Sequence, residues 1–307
     1  MKNKLKLALM SCSFFWSLIS IALAQQKDFE KLLIAFEKTP SSEQIFVAAH
    51  RGDWRNAPEN SLLSLKYAID MGVDIYELDL KKSKDGVLVL MHDRTLDRTV
   101  NANGKPSDYT LKELKSFRLK NGLGRTTPHQ IPTFEEFLIA SKGQILIDVD
   151  KGYEYFPDVI NMIKKYEMEN QVMVNIDADI PFFEVEKKFG QVPNEIKLMP
   201  VINLNQENYQ QTIISYKNRK NTIFQCVFKE ENKDALTYIK DLQSQSYHIW
   251  LNSLWASLNA GHDDDTAVDL QQPDHSWGWL IKQGASVLQT DRPQELLKYL
   301  KQQALNH

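Results

Sequence analysis

The stretch ELDLKKSKDGVLVLMHD, residues 77–93, sets two carboxylates two positions apart on an apolar strand and closes, after a turn at Asp85-Gly86, on a histidine. Strand side chains alternate, so Glu77 and Asp79 point to one side, about 6.5–7 Å apart along the backbone, while Leu78 and Leu80 face the other way. Two anions held that close in a low-dielectric setting repel each other unless a cation or a proton intervenes. An architecture that gathers strand-end acids at a solvent-facing mouth meets that demand, and the rest of the chain has its pattern.

Short apolar runs alternate with amphipathic stretches along the sequence, as expected for a parallel sheet built from β-α units. Eight runs read as strands: IFVAAH (45–50), DIYELDL (74–80), QILIDVD (144–150), QVMVNID (171–177), IKLMPVI (196–202), TIFQCVF (222–228), YHIWLN (247–252) and SVLQT (286–290). Helical patterns separate them, among them 60–71, 133–142, 155–167 and 234–245, and RPQELLKYLKQQ closes the chain with Pro293 in its first turn. Eight such units predict an α/β fold, a (β/α)8 TIM barrel over 45–307, with an open doubly wound sheet as the alternative. Two long segments break the alternation. One is an insertion after the second strand, about residues 81–130; the other is the acidic loop 253–275, whose Asp263-Asp264-Asp265 run reads as solvated.

The first 24 residues differ from the rest. Lys2, Lys4 and Lys6 precede an apolar run that ends in Ala22-Leu23-Ala24, the form of a signal peptide cleaved before Gln25. This predicts an exported protein, periplasmic or secreted, with no stable membrane anchor after cleavage and a helical segment at 25–44 ahead of the barrel. Losing three lysines takes the formal charge from −3 to −6, which gives no support to nucleic-acid binding. Cys12 leaves with the leader, so Cys226 stands alone as a small buried hydrophobe, and no internal disulfide is available. Nothing in the sequence sets an oligomeric state.

Active sites of β/α barrels lie at the C-terminal ends of the strands. His50, Glu77, Asp79, Asp148, Asp150, Asn175, Asp177, Trp250 and Asn252 all fall there. Carboxylates from adjacent strands suit a hard divalent cation, Ca2+ or Mg2+, with Asp148 or Asp150 as a third ligand beside Glu77 and Asp79. His50 and His92 flank the cluster as a base and an acid. Glycoside hydrolysis also uses paired carboxylates, but it leaves two histidines and Arg51 without a role, whereas a guanidinium suits a phosphate.

The combined motifs AAHRGDWRNAPENS, ELDL, KDG and HDRTLDRT, followed by IPTFEEFL and GASVLQTDRP, closely resemble the signatures of the glycerophosphodiester phosphodiesterases over about residues 45–300. The resemblance implies a TIM barrel with a small insertion after its second strand. It also implies metal-dependent hydrolysis of a small-molecule glycerophosphodiester to an alcohol and glycerol 3-phosphate, through a cyclic phosphate. It makes His50 and His92 the acid/base pair, Glu77 and Asp79 metal ligands, Arg51 a phosphate contact, and Glu59 and Asn60 supports from the first barrel helix. Trp250 matches an aromatic that packs on the alcohol. The third strand departs from the family's Glu-x-Lys. IDVDKGYEYFPDV resembles a bacterial subgroup with Asp-Lys there, which implies Asp150 as third ligand, Asp148 in reserve, and Lys151 or Lys197 in place of the usual phosphate-binding lysine. A phospholipase D-like enzyme on the same barrel and a non-catalytic phosphodiester-binding protein are the competing expectations.

Overall fold

The structure, a computed structural model, describes residues 29–38, 40 and 43–305. The expected leader, Cys12 and His307 lie outside the described residues. The strands are β1 (Phe46–Ala49), β2 (Ile75–Lys82), β3 (Leu88–Leu90), β4 (Leu146–Asp150), β5 (Val172–Ile176), β6 (Lys197–Asn203), β7 (Ile223–Val227), β8 (His248–Asn252) and β9 (Val287–Thr290). All but β3 run parallel in sequence order, and β9 pairs back onto β1, so the sheet closes into an eight-stranded barrel. Each barrel strand overlaps one of the eight runs read from the sequence.

Around it lie α1 (29–37), α2 (Leu62–Met71), α3 (Leu111–Leu114), α4 (Phe134–Ser141), α5 (Phe156–Lys165), α6 (Phe182–Phe189), α7 (Tyr209–Tyr216), α8 (Lys233–Ser244), α9 (Asp264–Val268), α10 (Trp277–Lys282) and α11 (Pro293–Gln302). Ser61, Thr110 and Thr133 cap α2, α3 and α4, each accepting a hydrogen bond from a backbone N–H of the first turn. Outward-facing strand residues such as Val47, Leu78, Ile147 and Val174 pack against these helices in one continuous core. No helix among the described residues is long and apolar enough to cross a membrane.

The interior is layered. Its floor is apolar: Phe46, Ile75, Leu146, Met173, Met199, Trp250 and Val287 fill it, and Phe36 from α1 closes it from below. The Phe36 ring stacks on His248 at 4.3 Å, and its carbonyl lies 2.8 Å from His248 Nε2. Two expected site residues belong to this floor. Lys197 is the first residue of β6, and its ammonium pairs with Glu37 at 2.7 Å, at the end opposite the mouth. Trp250 is fully buried in the barrel, its Nε1 donating to Asn252 Oδ1 at 2.9 Å. In this structure the Lys197 ammonium is engaged by Glu37 away from the mouth and Trp250 has no exposed surface, so neither offers a free group at the mouth.

After β2 the chain turns at Gly86 and returns as β3, antiparallel, with Leu80 opposite Leu90. Met91 N–H then donates to the Asp79 carbonyl at 3.0 Å, which brings His92 beside the end of β2. The segment has a small core of its own, with Val89, Met91, Leu96, Val100, Leu114, Leu119 and Ile131.

Candidate active site

Parallel register sets the acids side by side, Glu77 opposite Asp148 and Asp79 opposite Asp150. One carboxylate oxygen from each of Glu77, Asp79 and Asp150 lies within 4.8 Å of the others. Burial, and then the charges of Asp79, Asp150 and Asp148, push Glu77 well above the usual carboxylate range. Burial acts the same way on Asp79, but the Lys151 ammonium, His92 and Arg51 overcome it and hold Asp79 down at about 2. Asp148, level with Glu77, is fully buried with neither oxygen hydrogen-bonded, and burial drives it well above its ordinary value. Three convergent carboxylates, with Asp148 beside them, outnumber the bases paired with them and fit a hard divalent cation, and Glu77, Asp79 and Asp150 are the residues that would hold it.

The loop between β1 and α2 folds over this cluster. Arg51 and Asn60 both take left-handed backbone conformations, φ 55° and 53°, as does Lys151 just beyond β4 at φ 58°. Such conformations cost on the order of 1–3 kcal/mol each and gather where a site demands them. Here they aim polar groups inward. Arg51 N–H donates to Glu77 at 2.8 Å, and its guanidinium lies 3.2 Å from Glu59 and 3.5 Å from Asp79. Asn60 clasps Asp79 twice, its amide donating to the carboxylate at 2.9 Å and its carbonyl accepting the Asp79 N–H at 3.1 Å. Glu59 and Asn60 lie in the loop ahead of α2, not in the helix. Gly52 is obligatory at this turn, since a Cβ there would stand 2.2 Å from the Tyr76 ring. The Lys151 ammonium hydrogen-bonds Asp79 and lies 3.4 Å from Asp150.

Each histidine is held by an acid. His50 Nδ1 lies 2.8 Å from Asp291, and His92 Nδ1 lies 2.7 Å from Asp93, which leaves both Nε2 atoms to meet a ligand. Burial, with the charges of Lys151 and Arg51, lowers the His92 pKa against the opposing pull of Asp79. Arg98 ties the two sides together, bonding Asp93 at 2.7 Å and Glu59 at 2.5 Å. Sequence reasoning gave Asp93 and Asp291 no role, although each stands beside a residue or motif it had singled out. Their positions, next to His92 and just past the end of β9, are the signal that was available.

The loop 253–275 is less solvated than its acids imply. Asp264 is buried and accepts from Ser253, Trp277 and Thr290 side chains at 2.6–2.8 Å and from the Asp291 N–H at 2.7 Å. It thus braces the turn that carries the His50 partner. The mouth's aromatics are Trp54, donating to Asp291 at 2.6 Å, and Trp255, half exposed with its ring 5.9 Å from His50.

A family model described as a domain of unknown function, DUF4996, matches residues 198–300. A glycerophosphodiester phosphodiesterase of Caldanaerobacter subterraneus subsp. tengcongensis is 38% identical over 137 residues, 42% of this chain and 56% of that protein. Glycerophosphodiester phosphodiesterase 1 of Bos taurus is 32% identical over 183 residues, 53% of this chain and 54% of its own. The chain thus spans about half the length of the curated relatives it matches. Among solved structures, a glycerophosphoryl diester phosphodiesterase from Parabacteroides distasonis superposes with TM-score 0.73 at 24% identity, covering 88% of this chain and 91% of the other. An Oleispira antarctica phosphodiesterase, solved with sn-glycerol-3-phosphate, has TM-score 0.61 at 20% identity, covering 84% and 97%.

Proposed function

From the likeness to glycerophosphodiester phosphodiesterases, we propose that the chain is a member of that family and hydrolyses glycerophosphodiesters to an alcohol and glycerol 3-phosphate. The observation that carries the reading is the pair of carboxylate-held histidines flanking a three-carboxylate cluster. A divalent cation, Ca2+ or Mg2+, held by Glu77, Asp79 and Asp150 would withdraw charge from the phosphodiester oxygens. Arg51 is placed to bind a phosphate oxygen beside it. One histidine takes the proton of the attacking glycerol hydroxyl as its oxygen bonds to phosphorus; the other gives a proton to the departing alkoxide as its P–O bond breaks. Water then opens the cyclic phosphate, with the same two groups exchanging roles. Asp93 and Asp291 fix the ring orientation that this exchange requires. The product found in the O. antarctica relative is the one expected here. Export, read from residues 1–24, belongs to the same proposal.

Release of glycerol 3-phosphate from at least one member of a panel of glycerophosphodiesters, dependent on added Ca2+ or Mg2+, is the expected result. His50→Ala or His92→Ala should lower kcat by about 10²–10⁴-fold without moving the melting temperature. Turnover unaffected by either substitution would overturn the assignment, and no turnover of any diester by the wild type would favour a binding protein.

A further inference from the structure

A cavity of about 660 Å3 opens beside His92 and runs from Asp93 to α6, lined by Lys81, Arg94, Lys151 and Lys188 among others. Most basic groups around the mouth are already paired: Arg51 with Glu59, Arg98 with Asp93 and Glu59, Lys151 with Asp79. Three are not. The Lys81 ammonium, on the inward side of β2 two residues past Asp79, has its nearest carboxylate, Glu154, at 4.0 Å, and that side chain is 60% exposed. Lys188 has no ion pair among the described residues; it rests 4.1 Å above the Tyr153 ring, which orients an ammonium without neutralising it. Arg94, exposed and directly after the His92-Asp93 pair, likewise makes none.

The opposite flank is different in kind. There Trp255 and Trp54 stand against His50 and Asp291. The mouth is therefore asymmetric, aromatic beside one histidine and cationic beside the other. Among the described residues, three acids share the lining: Asp93, already paired with Arg98, Glu154, whose only basic partner is Lys81 at 4.0 Å, and Asp177 past β5, so Lys81, Arg94 and Lys188 face two carboxylates that no other base holds. A quaternary ammonium headgroup would be repelled there, whereas a phosphomonoester finds two point charges and one guanidinium fork.

On the diester reading above, we propose that the cavity beside His92 is the alcohol subsite and that it selects an alcohol carrying a second anionic group, a polyol phosphomonoester. Calorimetry on the turnover-deficient His50→Ala protein, in excess Mg2+, compares glycerophosphoinositol 4-phosphate with glycerophosphoinositol. The phosphorylated ligand should bind at least ~10-fold tighter. In the Arg94→Gln/Lys188→Gln variant of that protein, whose changes are at exposed positions, the ratio should fall to about 2-fold or less at unchanged melting temperature. Equal affinities, no binding of either ligand, or a ratio that survives the double substitution would each overturn the proposal. Wild-type hydrolysis is scored separately. Preferential binding without any turnover would sink the hydrolase reading and leave the subsite standing; turnover with no preference would do the reverse.

Discussion

At the scale of the residue, the carboxylate behind each histidine decides what the ring can do. An imidazole whose Nδ1–H is donated to Asp291 presents a lone pair or a proton at Nε2 on demand, and the carboxylate stabilises the imidazolium once it forms. Asp291 is itself fixed from three directions: by Trp54 Nε1, by the bond from its N–H to Asp264, and by Arg55, which donates to its carbonyl at 2.8 Å. Asp291→Asn retains shape and the backbone contacts but removes the charge, and because His50 and Trp54 share one oxygen of Asp291, an amide turned to present its NH2 to Nδ1 also loses the indole bond. The substitution should lower kcat by about 10²–10³-fold with KM nearly constant. A variant with wild-type kcat would show that Asp291 only supports the fold.

Elements carry the stability of this barrel at the end away from those histidines. Asp74, just ahead of β2, is buried near the floor and accepts the Val47 N–H at 2.8 Å. Burial raises its pKa to about 7, with that hydrogen bond opposing. The unfolded chain releases the same proton near the ordinary value of about 3.9, so between these limits the folded state holds a proton that the unfolded state has lost. The stabilisation is thus complete below about pH 4 and lost as pH rises through about 7. Asp74→Asn keeps an acceptor for Val47 and never ionises. It should melt on the order of 5 °C higher than wild type at pH 8, with the gap closing toward pH 4 and with kcat/KM unchanged. A gap that is independent of pH would show that Asp74 titrates alike in the folded and unfolded chain and that burial does not raise it.

The same elements explain what the sequence could and could not disclose. Alternating apolar runs and strand-end acids specify a closed parallel barrel and its mouth, because both signals are local and periodic. Depth along a strand is not. Trp250 and Lys197 lie on strands that reach the mouth, and only the register and the position of α1 show that both face the floor. The partner of His50 is also invisible locally, since Asp291 lies 241 residues away and meets it only because β9 pairs with β1. Asp264 misleads for a related reason: of the three consecutive acids, Asp263 caps α9 and Asp265 faces solvent, but α9 turns Asp264 alone into the protein.

Over the whole molecule, an apolar floor closed by α1 opposes a mouth with more negative charge than its own bases balance. Among the described residues, the ion pairs of Glu77, Asp79, Asp148 and Asp150 are made by Arg51 and Lys151 alone. A cation that binds this mouth and not the unfolded chain stabilises the fold by about 2.7 kcal/mol at a hundred times its dissociation constant. For a chain of this size that corresponds to a rise of roughly 5 °C or more in melting temperature. Differential scanning calorimetry in EDTA, then with Ca2+ or Mg2+ added, should show the rise and rank the two ions. Asp150→Asn removes a ligand and should abolish most of the shift. Asp148→Asn, which replaces a buried carboxyl lacking any hydrogen bond, should keep the shift and melt no lower than wild type in EDTA. If the effects of these two substitutions are reversed, the third ligand is Asp148; if neither ion moves the wild-type transition, the three carboxylates do not form a metal site.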